Sequence, residues 1–310
     1  MKGISRISPA SQSDWDSLWN DCSYATYFHS REWAELWCEY TRGKISPDPK
    51  LVTFDDGKCA LLPLSRWADP QGRGSYVSSP ADTYGGWLSS QPLDVAHGMS
   101  LRRYLLTELG DLEWQLNPFD PLMNDLEISA QEPDLTQVVN LDGGFHRIYQ
   151  GWTSACQRAE RKAKKSGVQV RVADNADQWG EFFEVYQDSL RRWGQATICR
   201  YKWSLFNEMI RRNSPHVKLW LAMGEGTKVI AGAILLYAKE HVVYWLGAAL
   251  YSSFPLRPVN LLFSHAIQDA CAQGYRWFDF NSSAGIEGVR RFKLGFGAKE
   301  LDCSVVHVSH

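Results

Sequence analysis

The most suggestive polar residues of this sequence lie in a short aromatic segment, WFDFN, at residues 277–281. Because successive side chains of a strand point to opposite faces, Trp277, Asp279 and Asn281 would share one face and the two phenylalanines the other. A carboxylate that faces a cleft accepts a proton or orients a substrate group. The alternative is a buried aspartate that holds neighbouring strands by hydrogen bonds, and the sequence leaves both interpretations open.

Two cationic motifs, SLRRWG at 189–194 and RRFKLGFG at 290–297, offer groups that bind or stabilise an oxyanion. The planar fork of an arginine binds oxyanions with two parallel hydrogen bonds. Arg191 and Arg192 are about 100° apart on a helix, so we expect only one of them to point inward. For Lys293 the alternative is a solvated lysine on a short helix.

Frequent catalytic signatures are absent from the sequence. It contains no GxxxxGK[ST], GxGxxG, HExxH, GxSxG or SxxK motif. The one close histidine pair is His307 and His310, so no metal site is expected. An enzyme built on this chain would act by positioning, proton transfer and electrostatics.

Composition indicates an ordinary globular protein. The chain has 310 residues, 44% of them hydrophobic, and a net charge of −2. These values exclude a disordered chain or a coiled coil, and no excess of basic residues points to DNA. Seven cysteines without a CxxC pair favour free thiols in a reducing compartment. The N-terminus has no apolar signal segment, and apolar runs reach only about ten residues, half of what a membrane span needs. We expect a soluble, cytoplasmic protein.

The order of predicted elements repeats along the chain. In the second half, three strands at 217–223, 228–238 and 241–250 have hairpin-sized links and form an antiparallel meander. Helix 258–273, strand 277–281, helix 287–294 and a last strand at 302–308 follow. The first half has a similar order and includes predicted strands at 58–67 and 125–130. We therefore predict a tandem duplication with domains 1–143 and 144–310.

This order, with its motifs, resembles the FemAB-type family of tandem GNAT acyltransferases, including its BioF2-like branch. In the first half the resemblance rests on FHSREWAELW (28–37), CALLPLSR (59–66) and TYGGWL (83–88). In the second half it rests on RAERKAKKSGVQV, VYQDSLRRWG, VIAGAILLYAKEHVVYWLGA, GYRWFDFNSS and GVRRFKLGFGA. It implies an α+β (mixed α/β) fold with two GNAT-like domains, each a mostly antiparallel mixed sheet flanked by helices.

The resemblance also implies a function: transfer of an acyl or aminoacyl group from acyl-CoA or aminoacyl-tRNA to an amine of a cell-envelope saccharide or peptidoglycan-type precursor. Lys293 would polarise the acyl carbonyl, and Asp279 or Asn281 would orient the amine. Arg192, with Trp193 beside it, would anchor the acceptor. The rival interpretation is a degenerate, non-catalytic fold that serves as a binding or scaffold module in an envelope or exopolysaccharide pathway.

Further expectations concern the acceptor and the donor. In the first domain the resemblance places a second set of residues near the acceptor: Arg31, Trp33, Asp82, Tyr84 and Gly85. The donor loop of ordinary GNAT enzymes, [QR]xxGx[GA], is missing from residues 251–263, where Arg257 and Asn260 remain as donor-binding candidates. The basic helix at 154–166 is either a solvated face or a contact for tRNA.

Overall fold

A computed structural model describes residues 2–68, 74–194 and 200–309 of the chain. The strands it describes are β1 (Ile4–Pro9), β2 (Ile45–Pro47), β3 (Lys50–Phe54), β4 (Cys59–Leu62), β5 (Ser65–Ala68), β6 (Gly74–Val77), β7 (Leu112–Gln115), β8 (Leu135–Asn140), β9 (Gln169–Val172), β10 (Val217–Met223), β11 (Val229–Ala238), β12 (His241–Ala249), β13 (Trp277–Ser282), β14 (Lys299–Asp302) and β15 (Val305–Val308). The helices are α1 (Gln12–Asp21), α2 (Arg31–Tyr40), α3 (Val95–Thr107), α4 (Gly144–Gln150), α5 (Ser154–Lys165), α6 (Ala176–Trp193), α7 (Trp203–Arg212), α8 (Pro258–Ala272) and α9 (Glu287–Leu294).

The chain folds into two compact units. Unit 1 comprises residues 1–136 together with 301–310, and unit 2 comprises residues 137–300. Unit 1 has a three-stranded sheet, β1-β3-β4, and a five-stranded sheet, β15-β7-β6-β5-β2. The seven-stranded sheet has the order β14-β8-β13-β12-β11-β10-β9. Sheets of mostly antiparallel strands flanked by helices confirm the predicted fold class.

Unit 2, residues 137–300, differs at both ends from the predicted second domain, 144–310. Strand β15 pairs antiparallel with β7, from Val305 against Gln115 to Val308 against Leu112, so the last residues belong to unit 1. The predicted boundary rested on two glycines, whereas the pairing of β15 joins segments that are distant in sequence. The duplication itself stays a prediction.

Unit 2 contains the predicted meander. Strands β10, β11 and β12 pair antiparallel, and every residue of β11 is buried. A strand covered on both faces is uniformly apolar, as the VIAGAILLYA sequence of β11 is. Helix α8 starts with Pro258 in its first turn, where the missing N–H costs nothing, and packs on α5 and β10.

Unit 1 departs from two predictions. The predicted strand 58–67 is two strands, because β4 pairs with β3 whereas β5 pairs with β6 in the other sheet. Pro63 lies in the break between them and has no N–H for a continuous ladder. The predicted strand at 125–130 is wrong: this segment contains turns and irregular chain, although Leu126 is buried in the core. Strand β1 was not predicted.

Candidate active site

The parallel strands β12 and β13 of unit 2 separate at their carboxyl ends. Their pairing runs from His241 against Trp277 to Val243 against Asp279 and ends there, although both strands continue. In open sheets that contain parallel strands, ligands bind at the carboxyl ends of strands where neighbouring strands separate. The open end of this strand pair is therefore a candidate ligand site.

A bulge in β12 coincides with the separation. The register against β11 shifts between Ile234, which faces Leu246, and Leu235, which faces Tyr244, so Trp245 is the extra residue. A bulge bends its strand and increases the local twist. The bend begins two residues beyond Val243, where pairing with β13 ends, and it gives a local cause for the gap.

Lys293 of α9 reaches the carboxyl end of β13. Its Nζ donates to the main-chain oxygens of Asn281 at 2.8 Å and Ser282 at 2.7 Å. The residue is only 2% exposed, so the solvated-lysine alternative is excluded. The two main-chain carbonyls fix the position of this amine, and in a medium of low dielectric constant a positive charge on it would act strongly on neighbouring groups.

Helix α9 is held in place by a bidentate ion pair and by the hydrogen bonds around it. The Arg290 guanidinium contacts both carboxylate oxygens of Glu300 at 2.7 Å, and this contact lowers the pKa of the Glu300 carboxyl. Glu300 also accepts a hydrogen bond from Gln137, whose Oε1 accepts one from Ser283. These contacts link α9, β14, β8 and the end of β13, so they fix the element that carries Lys293.

Asp279 and Asn281 shape the end of β13. Asp279 is fully buried, and its Oδ1 accepts a 2.8 Å hydrogen bond from the Asn281 amide. Asn281 has a left-handed backbone with φ of +60°, a conformation that asparagine tolerates better than most residues. The strand alternation that placed both side chains on one face therefore stops at Asn281. Asp279 is buried, as the alternative of a structural aspartate requires, but this hydrogen bond lies within its own strand and does not hold a neighbouring one.

Arg192 and Arg191 differ as expected for neighbours on a helix. The Arg192 side chain is 27% exposed and reaches the carboxyl end of β12, where Nη1 donates to the Ala249 oxygen at 3.4 Å. Arg191 is 70% exposed and contacts only Asp188 among the groups of the described chain. Arg192 is thus the inward residue, a choice that the sequence left open.

Residues that the sequence did not single out surround Arg192. Ser189 donates to the Ala249 oxygen at 3.2 Å and accepts a hydrogen bond from Arg192. The guanidinium lies over the Phe254 ring at 4.8 Å and near the Trp193 ring at 5.9 Å. Ser189 precedes Arg192 by three residues, and this spacing puts the two side chains on the same helix face. The sequence therefore contained a signal for the contact of Ser189 with Arg192. The Phe254 contact is long-range and has no such signal.

An aromatic pair lies on the bulge itself. The Trp245 ring stacks on Tyr201 with centroids 5.1 Å apart, and the Tyr201 amide donates to the Tyr186 hydroxyl at 2.9 Å. The pair joins β12 to the segment before α7. These residues hold the bulged part of β12 in position.

The two donor-binding candidates are at the start of α8, in different surroundings. Arg257 is exposed and has a left-handed backbone with φ of +58°. Asn260 is buried, and its Nδ2 donates to the Cys156 sulfur at 3.7 Å. Arg257 therefore faces solvent at a helix N-terminus, where anions bind, whereas Asn260 joins α8 to α5.

The basic helix α5 presents most of its cations to solvent. Arg158, Arg161, Lys162 and Lys165 are exposed, and Lys164 pairs with the buried Glu160 at 2.5 Å. This exposure agrees with both interpretations, a solvated face or a nucleic-acid contact.

The first-domain candidates differ in exposure and in their partners. Trp33 and Tyr84 are fully buried and both contact the Phe28 ring. Arg31 binds Asp16 through two hydrogen bonds and also binds Glu35, and these carboxylates raise its pKa.

The other two first-domain candidates lie in the segment that follows β6. Asp82 is exposed, whereas Gly85 is buried and its amide donates to the Gln115 oxygen at 2.9 Å. A Cβ on Gly85 would collide with Ser78, so only glycine fits there.

Within the described ranges, no group of histidine, cysteine or carboxylate residues could hold a metal ion. Nor does any described helix have the length and apolar character that crossing a membrane requires.

A family model matches part of the chain. Residues 154–298, which lie within unit 2, match the family model "Acetyltransferase (GNAT) domain". No curated protein matches the sequence.

Solved structures resemble the whole chain. FemX is 13% identical with a TM-score of 0.71, and the match covers 96% of this chain and 97% of FemX. L-PGS from Bacillus licheniformis is 12% identical with a TM-score of 0.58, covering 97% and 93%. The C-terminal domain of a putative lysylphosphatidylglycerol synthetase from Agrobacterium fabrum is 13% identical with a TM-score of 0.57, again covering 97% and 93%. Residues 154–298 thus match a GNAT domain model, and the chain as a whole has the fold of these three structures.

Proposed function

We propose that this protein transfers an acyl or aminoacyl group to an amino group of a cell-envelope saccharide or peptidoglycan-type precursor. The observation that carries the proposal is the separation of β12 and β13, with Lys293 and Arg192 each bound to a strand end beside the gap. The matching GNAT family model supports acyl transfer as the class of reaction. One of the similar structures is named as a domain of a putative lysylphosphatidylglycerol synthetase, and lysylphosphatidylglycerol is a lipid that carries an aminoacyl group.

Amide formation from an activated acyl group needs no protein nucleophile. The amine must be neutral and aligned, and the carbonyl oxygen must be stabilised as it becomes an oxyanion. The amine then loses its proton as the bond to the CoA sulfur or the tRNA ribose oxygen breaks, and the leaving group departs as a thiol or a hydroxyl after taking up a proton. In our proposal the Lys293 ammonium supplies the positive field for the oxyanion. Asp279 acts mainly by holding the Asn281 amide, and thereby the main-chain oxygen that Lys293 binds, in place.

Arg192 is the proposed anchor of the acceptor. Its guanidinium is partly exposed, lies between two aromatic rings and keeps its position through Ser189 and the Ala249 oxygen. A guanidinium held in this way pairs with a phosphate or carboxylate at small entropic cost. A precursor that carries a phosphate or a carboxylate fits this anchor.

The donor is either acyl-CoA or aminoacyl-tRNA, and two surfaces suit them differently. The N-terminus of α8 with the exposed Arg257 suits the pyrophosphate of CoA. The exposed cations of α5 suit the phosphates of tRNA. Variants separate the two: Arg257→Ala should weaken use of CoA alone, and Arg161→Ala with Lys165→Ala should weaken use of tRNA alone.

The decisive experiment measures transfer of label from radioactive acetyl-CoA or from radioactive aminoacyl-tRNA to a panel of amino sugars and muropeptides. Lys293→Met is compared with Lys299→Met, which removes an exposed lysine a few residues away. We expect transfer from one donor, lost in the Lys293 variant and kept in the Lys299 variant. Binding of an acceptor without transfer from either donor would support the scaffold interpretation instead.

A further inference from the structure

Unit 1 contains a cavity that the proposed reaction does not use. Its volume is about 450 Å³, within the usual range of roughly 300–1,000 Å³ for small-molecule sites. Ile45 of β2, Trp67 of β5, Val77 of β6 and His307 of β15 line it, so its floor is one face of the five-stranded sheet. The volume suffices for a monosaccharide or a short chain.

The charge inside this cavity is predominantly negative. Asp82, Asp111 and Glu113 line it, and the lining residues that the structure describes include no lysine or arginine. His307 is the one basic side chain there, and its Nε2 lies 3.2 Å from a Glu132 oxygen outside the lining. The cavity therefore attracts cations.

The carboxylates act on one another. Burial raises the pKa of the half-buried Glu113 carboxyl, the negative charges of Asp82 and Glu132 raise it further, and His307 opposes them. Like charges that share a site destabilise each other. A bound cation would relieve this repulsion, and the energy released would contribute to its affinity.

Asp82 is held at the rim by a strained turn. Ala81 and Asp82 have left-handed backbones with φ of +65° and +50°, a conformation that costs energy for residues other than glycine. Pro80, just before them, accepts hydrogen bonds from the Trp33 indole at 3.3 Å and the Thr83 hydroxyl at 2.8 Å. Backbone strain that the surrounding structure maintains is concentrated at functional sites.

The cavity also has an aromatic wall. Trp67 is 46% exposed, an unusual position for so large an apolar ring. Ring faces pack on the apolar faces of sugars and alkyl chains, and they attract ammonium groups. Together with the apolar floor from Ile45 and Val77, this wall accommodates the body of a ligand whose charge is near the carboxylates.

We propose that this cavity binds a small organic cation whose primary ammonium group lies between Asp82 and Glu113 and whose body packs on Trp67. The site belongs to unit 1 alone, so the proposal does not depend on the reaction proposed for unit 2. It gives the predicted substrate contact of Asp82 a chemical class and adds Glu113 and Trp67 to it.

Titration calorimetry with matched ligands tests the proposal. Glucosamine is compared with glucose, and cadaverine with 1,5-pentanediol, because each pair differs in charge at nearly constant shape. We expect saturable binding of at least one amine and none of its neutral partner. Glu113→Gln or Asp82→Asn should weaken the binding about tenfold, the effect of losing one hydrogen bond to a charged group.

Controls separate binding from general damage. Glu127→Gln removes an exposed carboxylate of unit 1 outside the cavity and should leave the affinity unchanged. Trp67→Ala should weaken binding without abolishing the preference for the amine, and thermal unfolding confirms that each variant is folded. Equal binding of an amine and its neutral partner, equal affinity in the Glu113 and Glu127 variants, or no saturable binding of either amine would overturn the proposal.

Discussion

The carboxyl ends of a parallel strand pair are open in unit 2 and closed in unit 1. In unit 2 the pairing of β12 and β13 ends at Val243 and Asp279, and Lys293 and Arg192 bind the strand ends. In unit 1 the corresponding pair is β6 and β7, where Val77 faces Glu113. The segment after β6 turns back and continues the pairing, since Gly85 forms a parallel bridge with Leu116.

The difference indicates which unit carries the chemistry. The returning segment of unit 1 contributes Tyr84 and Trp87, both buried, so aromatic side chains fill that region of unit 1. Unit 2 has a buried lysine and a buried aspartate at the open end of β12 and β13. Burying charged groups is costly, and perturbed charged groups are concentrated at functional sites. The family match, which is confined to unit 2, agrees with this division.

The largest expected effect tests whether unit 2 is the catalytic unit. Lys293→Met should lower kcat/KM for acyl transfer about a thousandfold, because loss of one preorganised oxyanion-stabilising group costs this much in other enzymes. Steady-state kinetics of the variant and of Lys299→Met measure the effect, with circular dichroism to confirm folding. A kcat/KM within about threefold of the natural protein's would contradict the role assigned to Lys293.

A buried carboxyl of unit 1 should affect stability instead. Burial raises the pKa of the Asp120 carboxyl from its ordinary value of 3.8 to about 7. Between these values the folded protein holds a proton that the unfolded chain releases, so Asp120's contribution to stability is greatest at low pH and is lost as pH rises through about 7. Asp120→Asn should remove this loss and stabilise the protein above pH 7 by an amount on the order of 4 kcal/mol.

Urea unfolding on either side of pH 7 measures the Asp120 effect. Asp125→Asn, an exposed neighbour, serves as the control and should follow the natural protein. Acyl transfer should be unchanged in both variants. Parallel pH profiles of stability for the Asp120→Asn variant and the natural protein would show that Asp120 does not titrate as described.

The closed end of the unit 1 strand pair depends on one glycine. Gly85→Ala places a methyl group against the Ser78 side chain and main chain and should destabilise the fold by about 2 kcal/mol. Gly180→Ala is the matched change in α6, where a Cβ meets nothing within 4 Å, and should stabilise by about 0.5–1 kcal/mol. Thermal denaturation compares the two, and a neutral Gly85 variant would mean that the returning segment packs loosely.

The smallest expected effect on activity tests the role of Arg192 at the open end of β12 and β13. Arg192→Ala should raise KM for the acceptor about tenfold with little change in kcat, because the side chain is proposed to bind and not to react. Arg191→Ala is the adjacent control and should have no effect, since that side chain is 70% exposed. A larger effect of Arg191 than of Arg192 on KM would reverse the assignment.

The sequence predicted the parts of the site that depend on local pattern. The meander, the strand of Asp279 and the helix of Lys293 all follow from periodicity and end signals, and the structure contains them. The gap itself was not predictable from the residues alone, because it depends on where the pairing of β12 and β13 stops. Gly247, two residues beyond the bulge at Trp245, is a local signal for it, because an isolated glycine inside a strand often marks a bulge.

Long-range pairings account for the other differences. Asn281 reads as one more strand residue, whereas its backbone is left-handed and its amide donates to Asp279. The pairing of β15 with β7 joins segments almost two hundred residues apart, where no local signal is available. The direction of Arg192 was decided by the position of Ala249, which belongs to another strand.

The pairing of β15 with β7 has a consequence for synthesis of the chain. Since β7 precedes all of unit 2 and β15 follows it, a ribosome completes unit 2 before the last strand of the five-stranded sheet exists. At about 5–20 residues per second, the edge of β7 waits roughly 10–40 s for its partner. An unpaired sheet edge invites association with other chains. The nascent protein therefore passes through an interval in which unit 1 needs dilution or a chaperone more than unit 2 does.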